Sequence, residues 1–412
     1  MSQSRFAITV LLASLWLSAC ACASAAQSAT TAVRPSNNAL AARGFNELYN
    51  MDYGPAIRDF TTLRNEYPDD PFPVNYLLAA ELFKELNRIG ALDTETYSGE
   101  SFLTSKPRRP LDPAVQKRIF DLATRAESLC NARLQENPTD TDALYARGVA
   151  RGFRSTYMGL AQKSWLPAIR SALASRRDHE RVLELDPDYV DAKMTVGIHN
   201  YIIGSLNWAG RAAVALAGVT GNKRKGLDYL REVSRSHGTS RNDAAMALAL
   251  FLRREQRYAE ALALVGRVSH EYPRNFLLAI EYAHLLNAAG HGREAIAQYS
   301  LALEKGREGK YSTFQPEMAA WGLAIALRGQ REFEQAADDF DLVATIDGIE
   351  PSLLDRANVS AGEMYDALGR RELALERYGR VIAAGRDGDY AAAARKRIRH
   401  AYQPDETPAS PH

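Results

Sequence analysis

Residues 257–273 read RYAEALALVGRVSHEYP, and residues 292–306 read GREAIAQYSLALEKG. Set one over the other, they place Ala261 34 residues before Ala295, with Val265 and Tyr299 each four residues further on. The frame returns as EFEQAADDFDLVATID around Ala336, as RELALERYGRVIAAG around Ala374, and near the start as DYGPAIRDFTTLRNEYP around Ala56. Self-similarity at a fixed period of this length marks an array of supersecondary units that bury apolar surface by stacking. The chain is rich in Ala, Leu, Arg and Glu, which favour helix, and shows few strand-like alternations. Each unit is therefore read as a pair of helices.

The pattern resembles the tetratricopeptide repeat (TPR), in which a small residue lets two helices approach, an aromatic fills the space between neighbours, and Pro closes the second helix. Matching residues are Gly44, Ala56, Phe60 and Pro68 in the first repeat, and Gly362, Tyr365, Gly369, Ala374 and Tyr378 in the last. Pro138, Pro187 and Pro273 mark further repeat ends, and Gly148 and Gly197 fall on the small position of the following first helix. About eight repeats span most of residues 37–386. The resemblance implies an all-α, right-handed superhelical solenoid of TPR helix-turn-helix repeats with insertions in the middle third. Regular repeats are expected at 37–138, with a loop insertion at 91–112. Degenerate repeats with helical insertions follow at 139–238, where residues 153–174 and 198–225 lengthen the frame, and regular repeats resume at 239–388. Residues 389–402, DYAAAARKRIRHAY, suit a capping helix with Arg and Lys on its outer face. Residues 403–412 suit a disordered tail.

Residues 6–19 form an almost unbroken apolar run, about 21 Å long as helix against a hydrocarbon core of roughly 30 Å. That is the length of a signal-peptide core, so residues 1–26 are set apart from the fold. Leu17-Ser18-Ala19-Cys20 resembles the bacterial lipobox, which implies acylation of Cys20. Ala23-Ser24-Ala25 also fits ordinary signal peptidase, which would give a soluble exported protein instead. Residues 27–36 are small and polar enough for a tether. The expected location is the bacterial envelope, facing the periplasm, with membrane attachment through the lipid.

Chemistry-bearing motifs are sparse. Cys130 is the one cysteine after Cys20 and Cys22 and reads as a small buried apolar residue. With 51 Lys+Arg against 50 Asp+Glu, no global field recruits nucleic acid. AGVTGNKRKG, residues 217–226, lacks the G-K-[ST] ending of a phosphate loop and reads as a turn with Asn222 capping a helix from Lys223. No histidine pair has HExxH spacing, and Asp186, Asp188 and Asp191 lack the Gly and Glu of a calcium loop. No catalytic, cofactor or metal site is expected, and the chain is read as non-enzymatic.

Residues 196–218, VGIHNYIIGSLNWAGRAAVALAG, carry one full charge, Arg211, but His199, Asn200, Asn207 and four internal glycines break the apolar run. A buried helical hairpin is expected rather than a membrane span. Trp208, Arg211, Lys223 and Arg224 form an alternative ligand or contact patch, with exposure of Trp208 favouring contact over core. Extended to Leu227, the block gives a Gly-rich helix, a break at Trp208-Ala209 and then GVTGNKRKGL (residues 218–227) leading into an amphipathic helix. In this it is similar to the TPR component lipoproteins of TRAP transporters, which implies a periplasmic accessory protein docking a substrate-binding partner. Related blocks also occur in eukaryotic TPR proteins of the mitochondrial surface.

In TPR arrays, positions 2, 5, 9, 12 and 13 of each first helix face the inner surface. Carried over, these give Phe45, Leu48 and Tyr49; Met246, Leu250, Arg253 and Arg254; Ile280, His284 and Asn287; and Trp321, Ile325 and Arg328. Such a groove suits an extended or helical segment of acidic character. The expected function is an envelope adaptor binding another protein. The alternative is a module holding a lipid or apolar small molecule at 198–225.

Overall fold

The structure is a computed structural model describing residues 32–92, 107, 109–216 and 218–405. It is an all-α helical-repeat solenoid, TPR-like in its hairpins, with no strand among the described residues. The chain forms two compact units, Met1–Val268 and Ser269–His412.

The first unit contains α1 Ala39–Tyr49, α2 Tyr53–Glu66, α3 Pro71–Arg88, α4 Pro113–Glu136, α5 Thr141–Thr156, α6 Trp165–Leu185, α7 Ala192–Gly204, α8 Trp208–Leu216, α9 Lys223–Arg235 and α10 Arg241–Arg254. The unit boundary falls inside α11, Tyr258–Glu271. Consecutive helices pack from α1 to α7, after which α7 packs directly on α9 and α9 on α10. The second unit continues with α12 Phe276–Ala288, α13 Gly292–Arg307, α14 Pro316–Gly329, α15 Phe333–Ala344, α16 Pro351–Ala367, α17 Arg371–Ala383 and α18 Asp389–Arg399, each packed on the next.

Helix starts follow the sequence. Asn38, Asp70, Asp112, Asp140 and Asn275 accept hydrogen bonds from first-turn amides, and Pro71, Pro113, Pro316 and Pro351 stand where the missing N–H costs nothing. Asn222 caps α9 through Lys225 N (2.9 Å), as read. Helix pairing follows the small-aromatic rule: a Cβ on Gly44 would stand 2.5 Å from the Phe60 ring, and one on Gly362 2.5 Å from the Tyr378 ring. The lengthening at 153–174 appears as a π-helical turn, Tyr157–Ala161, followed by the 21-residue α6. Cys130 is buried in α4, where burial pushes its thiol up.

Two expectations are corrected here. Residues 32–36 are not tether: Ala32, Val33 and Arg34 are buried in the first unit. Val33 N donates to Asp70 Oδ2 (2.7 Å) and Tyr76 Oη donates to Val33 O (2.7 Å). Arg34 pairs with Asp142 and lies 3.7 Å from the Phe72 ring centre, while Tyr189 Oη donates to the same Asp142 carboxylate (3.0 Å). The capping helix α18 does not hold all its cations outward either. Arg397 is buried against Glu363 (2.9 Å) and stacks on Tyr402. The signal segment, Cys20 and most of the 91–112 insertion lie outside the described residues. Among those described, no helix is long and apolar enough to cross a membrane.

Candidate functional site

Beyond its first residue, Arg241, helix α10 is buried except along one line. Met246, Leu250, Arg253 and Arg254 are half-exposed, at i, i+4, i+7 and i+8, while Ala247–Ala249, Phe251 and Leu252 are buried. Four of the expected groove residues therefore do share one stripe. Burial lowers the pKa of the Arg254 guanidinium, against the opposing influence of Tyr201 and Glu255. Beside it, Glu255 accepts from Tyr201 Oη (2.7 Å) and from Lys223 Nζ (2.5 Å). Burial pushes the Glu255 carboxyl up, but those two donors bring it below its ordinary value. Lys223 is thus engaged in an ion pair that fastens α9 to the end of α10.

The other groove positions divide. Phe45 and Leu48 are core, a correction with a plain cause: Phe45 meets Phe60 and Tyr76 at ring-centre distances of 5.2 and 4.8 Å, inside the contact between repeats. Tyr49 is half-buried and donates to Asp243 Oδ2 (2.9 Å). In the second unit Ile280 is buried, and Trp321 is only 3 % exposed. Trp321 is the packing aromatic, held between Phe340 (5.1 Å) and the Arg356 guanidinium (4.1 Å). His284 lies against the Tyr299 ring (5.7 Å) with Nδ1 3.9 Å from Glu281. Asn287, Ile325 and Arg328 are half-exposed, and burial lowers the pKa of the Arg328 guanidinium.

The middle block is also corrected. Helix α7 is buried along its length as expected, but α8 is not the second arm of a buried hairpin. Trp208 is 78 % exposed, so it lines no enclosed apolar pocket, and Arg211 and Arg224 are exposed with it. The inward side of α8 is fixed: Val214 and Val219 pack on Ile203 and Leu206, and Asn207 Oδ1 accepts from Gly210 N (2.8 Å). The return loop is pinned where Arg176 donates to Thr220 O (2.8 Å) and Asn222 N donates to Asn200 Oδ1 (3.1 Å).

The remaining polar clusters are structural. His179 and His199 donate through Nδ1 to Ser175 O and Thr195 O, both at 2.8 Å, and burial lowers both imidazoles, His199 to about 4. Asp191 accepts from Ser240 N (3.0 Å) and Asp186 from Asp188 N (3.1 Å), closing turns. No group of three or more His, Cys, Asp or Glu able to hold a metal ion occurs among the described residues. One signal in the sequence marks the α8 surface: residues 192–227 hold no Asp or Glu and five Lys or Arg.

No protein-family model and no curated protein matches this chain. Among solved structures, it is similar to a human IFIT1 dimer with m7Gppp-AAAA at 14 % identity and a TM-score of 0.42, covering 90 % of this chain and 88 % of that one. A tetratricopeptide repeat protein from Parabacteroides merdae gives 14 % identity, a TM-score of 0.32, and coverage of 77 % and 97 %. Yeast Tom70 gives 13 % identity, a TM-score of 0.34, and coverage of 88 % and 90 %. The TPR-like assignment rests on the chain's own hairpins rather than on these overlaps.

Proposed function

We propose that this chain is a non-enzymatic scaffold of the bacterial cell envelope, exported, anchored through a lipid on Cys20 and facing the periplasm, where it binds a segment of another protein. The supporting observation is the α10 stripe: two apolar and two cationic side chains, half-exposed in line on a first helix that is buried elsewhere beyond Arg241. A stripe of this composition suits an amphipathic segment with acidic flanks, since Arg gives charge-assisted bonds to carboxylates while Met and Leu take the apolar face. In the transporter form of this reading, suggested by the resemblance of residues 196–227 to TRAP-associated lipoproteins, the partner is a substrate-binding protein.

Crosslinking and affinity capture from native envelopes test the scaffold. One dominant partner is expected, and Leu250→Asp with Arg253→Glu should reduce its capture about tenfold or more, the scale of losing a contact worth 1.4 kcal/mol. Undiminished capture would remove α10 from the docking surface. Cys20→Ala should move the protein to the soluble fraction after a high-salt wash; retention through that wash would end the lipid-anchor reading.

A further inference from the structure

We propose that the outward side of α8, with the first turn of α9, is a docking surface for an anionic phospholipid bilayer. The inference takes its membrane address from the lipid-anchor reading but stands on geometry that reading does not use. The end of α7 abuts the start of α9 so tightly that a Cβ on Gly204 would stand 2.3 Å from Lys223 N. Trp208 follows four residues after Gly204, and Arg224 and Lys225 follow directly on Lys223, so all three leave the same end of α7. Four residues of chain span at most about 15 Å, which confines the patch to the breadth of a few headgroups.

The patch has the make-up of an interfacial contact. An exposed Trp combines an apolar body with an N–H and favours the boundary between hydrocarbon and water. Ala209, Ala212 and Ala215 extend the small apolar surface beside it, and Arg211, Arg224 and Lys225 are exposed cations. Acidic residues around the patch are themselves paired: Asp228, one turn on from Arg224 in α9, accepts from Arg231 (3.0 Å). Glu255, which α10 brings to this end, is held by Lys223 and Tyr201, and Glu180 of α6 is paired with Arg176. Cations held close to a bilayer are attracted to anionic headgroups, and the attraction is screened by salt. The chain between Cys20 and the buried Ala32 is also short, with a reach of at most about 40 Å, so an acylated protein keeps its first unit beside the bilayer.

Co-sedimentation of residues 27–412, free of any acyl chain, with phosphatidylglycerol or phosphatidylcholine vesicles tests the surface apart from the anchor. Binding to phosphatidylglycerol is expected, weakened by salt and reduced about tenfold or more by Trp208→Ser and, separately, by Arg224→Glu with Lys225→Glu. No binding, binding that ignores headgroup charge, or binding unaltered in both variants would overturn the proposal. So would protection of Trp208 from oxidation by an envelope protein but not by vesicles, which would give the patch a protein occupant. Because no lipid on Cys20 is involved, these results neither depend on nor decide the fractionation of Cys20→Ala.

Discussion

The hairpin of α16 and α17 and the block from α7 to α9 solve one packing problem in two ways. In the first, the small Gly362 receives a large neighbour, Tyr378, whose Oη continues to Asp366 Oδ2 (2.9 Å). Asp366 also accepts from Arg371 (2.8 Å) and from Tyr402 N (2.9 Å), so the aromatic and the segment after α18 share one buried anchor. In the second the closest approach is made by main chain, with Tyr229 and Leu230 of α9 only flanking Gly197. Gly197 and Gly226 bring backbone against backbone, with a Cβ on Gly226 placed 2.5 Å from Tyr201 N and 2.6 Å from Gly197 O. Since α7 and α9 close on each other, nothing inserted between them in sequence can lie between them in space. Helix α8 is expelled to the surface, and Trp208 with it.

One methyl group added to each hairpin separates the two kinds of packing most strongly. Gly226→Ala meets main chain, which cannot move without separating α7 from α9, and should cost about 3 kcal/mol. Gly362→Ala meets a ring that can tilt and should cost roughly 1 kcal/mol. Urea midpoints of the two variants check this. Equal losses would mean that the close backbone approach in the middle block has slack.

A smaller effect separates the two units by pH. Burial holds the His199 imidazole at about 4, below its ordinary value near 6.5. Between those values the unfolded chain takes up a proton that the folded unit refuses, so stability around α7 falls as the pH drops through the window. The loss at about pH 5 is about 2 kcal/mol, and His179, also lowered by burial, acts in the same direction. Asp339 in α15 has the opposite sign. Burial, with Asp338 beside it, raises its carboxyl to about 6, so its contribution is full at low pH and lost as pH rises through that value. Hydrogen exchange should thus show α7 losing protection on acidification while α15 does not. A parallel loss in both would refute the assignment, and His199→Gln should flatten the response of α7.

The hairpins were legible because their rule is local: small residue, aromatic and Pro recur at fixed spacing, and each reports on a neighbour within one repeat. Burial of charge was not legible, because it is settled by residues far along the chain. Arg34 looks like part of a polar leader until Asp142, 108 residues away, supplies its counter-charge. Arg397 looks like an outer-face cation until Glu363 meets it. The groove positions failed for a related reason. Periodicity gives the helix face but not what the next helix lays over it, so Phe45 and Trp321 fell in the right rows and under Tyr76 and Arg356.

Trp208 provides the smallest expected effect on stability and the most discriminating one. A tryptophan that packs a core is costly to truncate, whereas one that is 78 % exposed leaves little behind when removed. Trp208→Ala should change the urea midpoint by the equivalent of less than about 0.5 kcal/mol, because α8 is held by Val214, Val219 and the Asn207 cap rather than by the indole. A larger loss would make Trp208 a structural residue and would rob the vesicle experiment of its meaning, since binding could then fail through unfolding of α8. A near-neutral result does more than clear that control. Loss of vesicle binding in a variant that keeps its stability is then loss of the indole's contact rather than of the α8 fold.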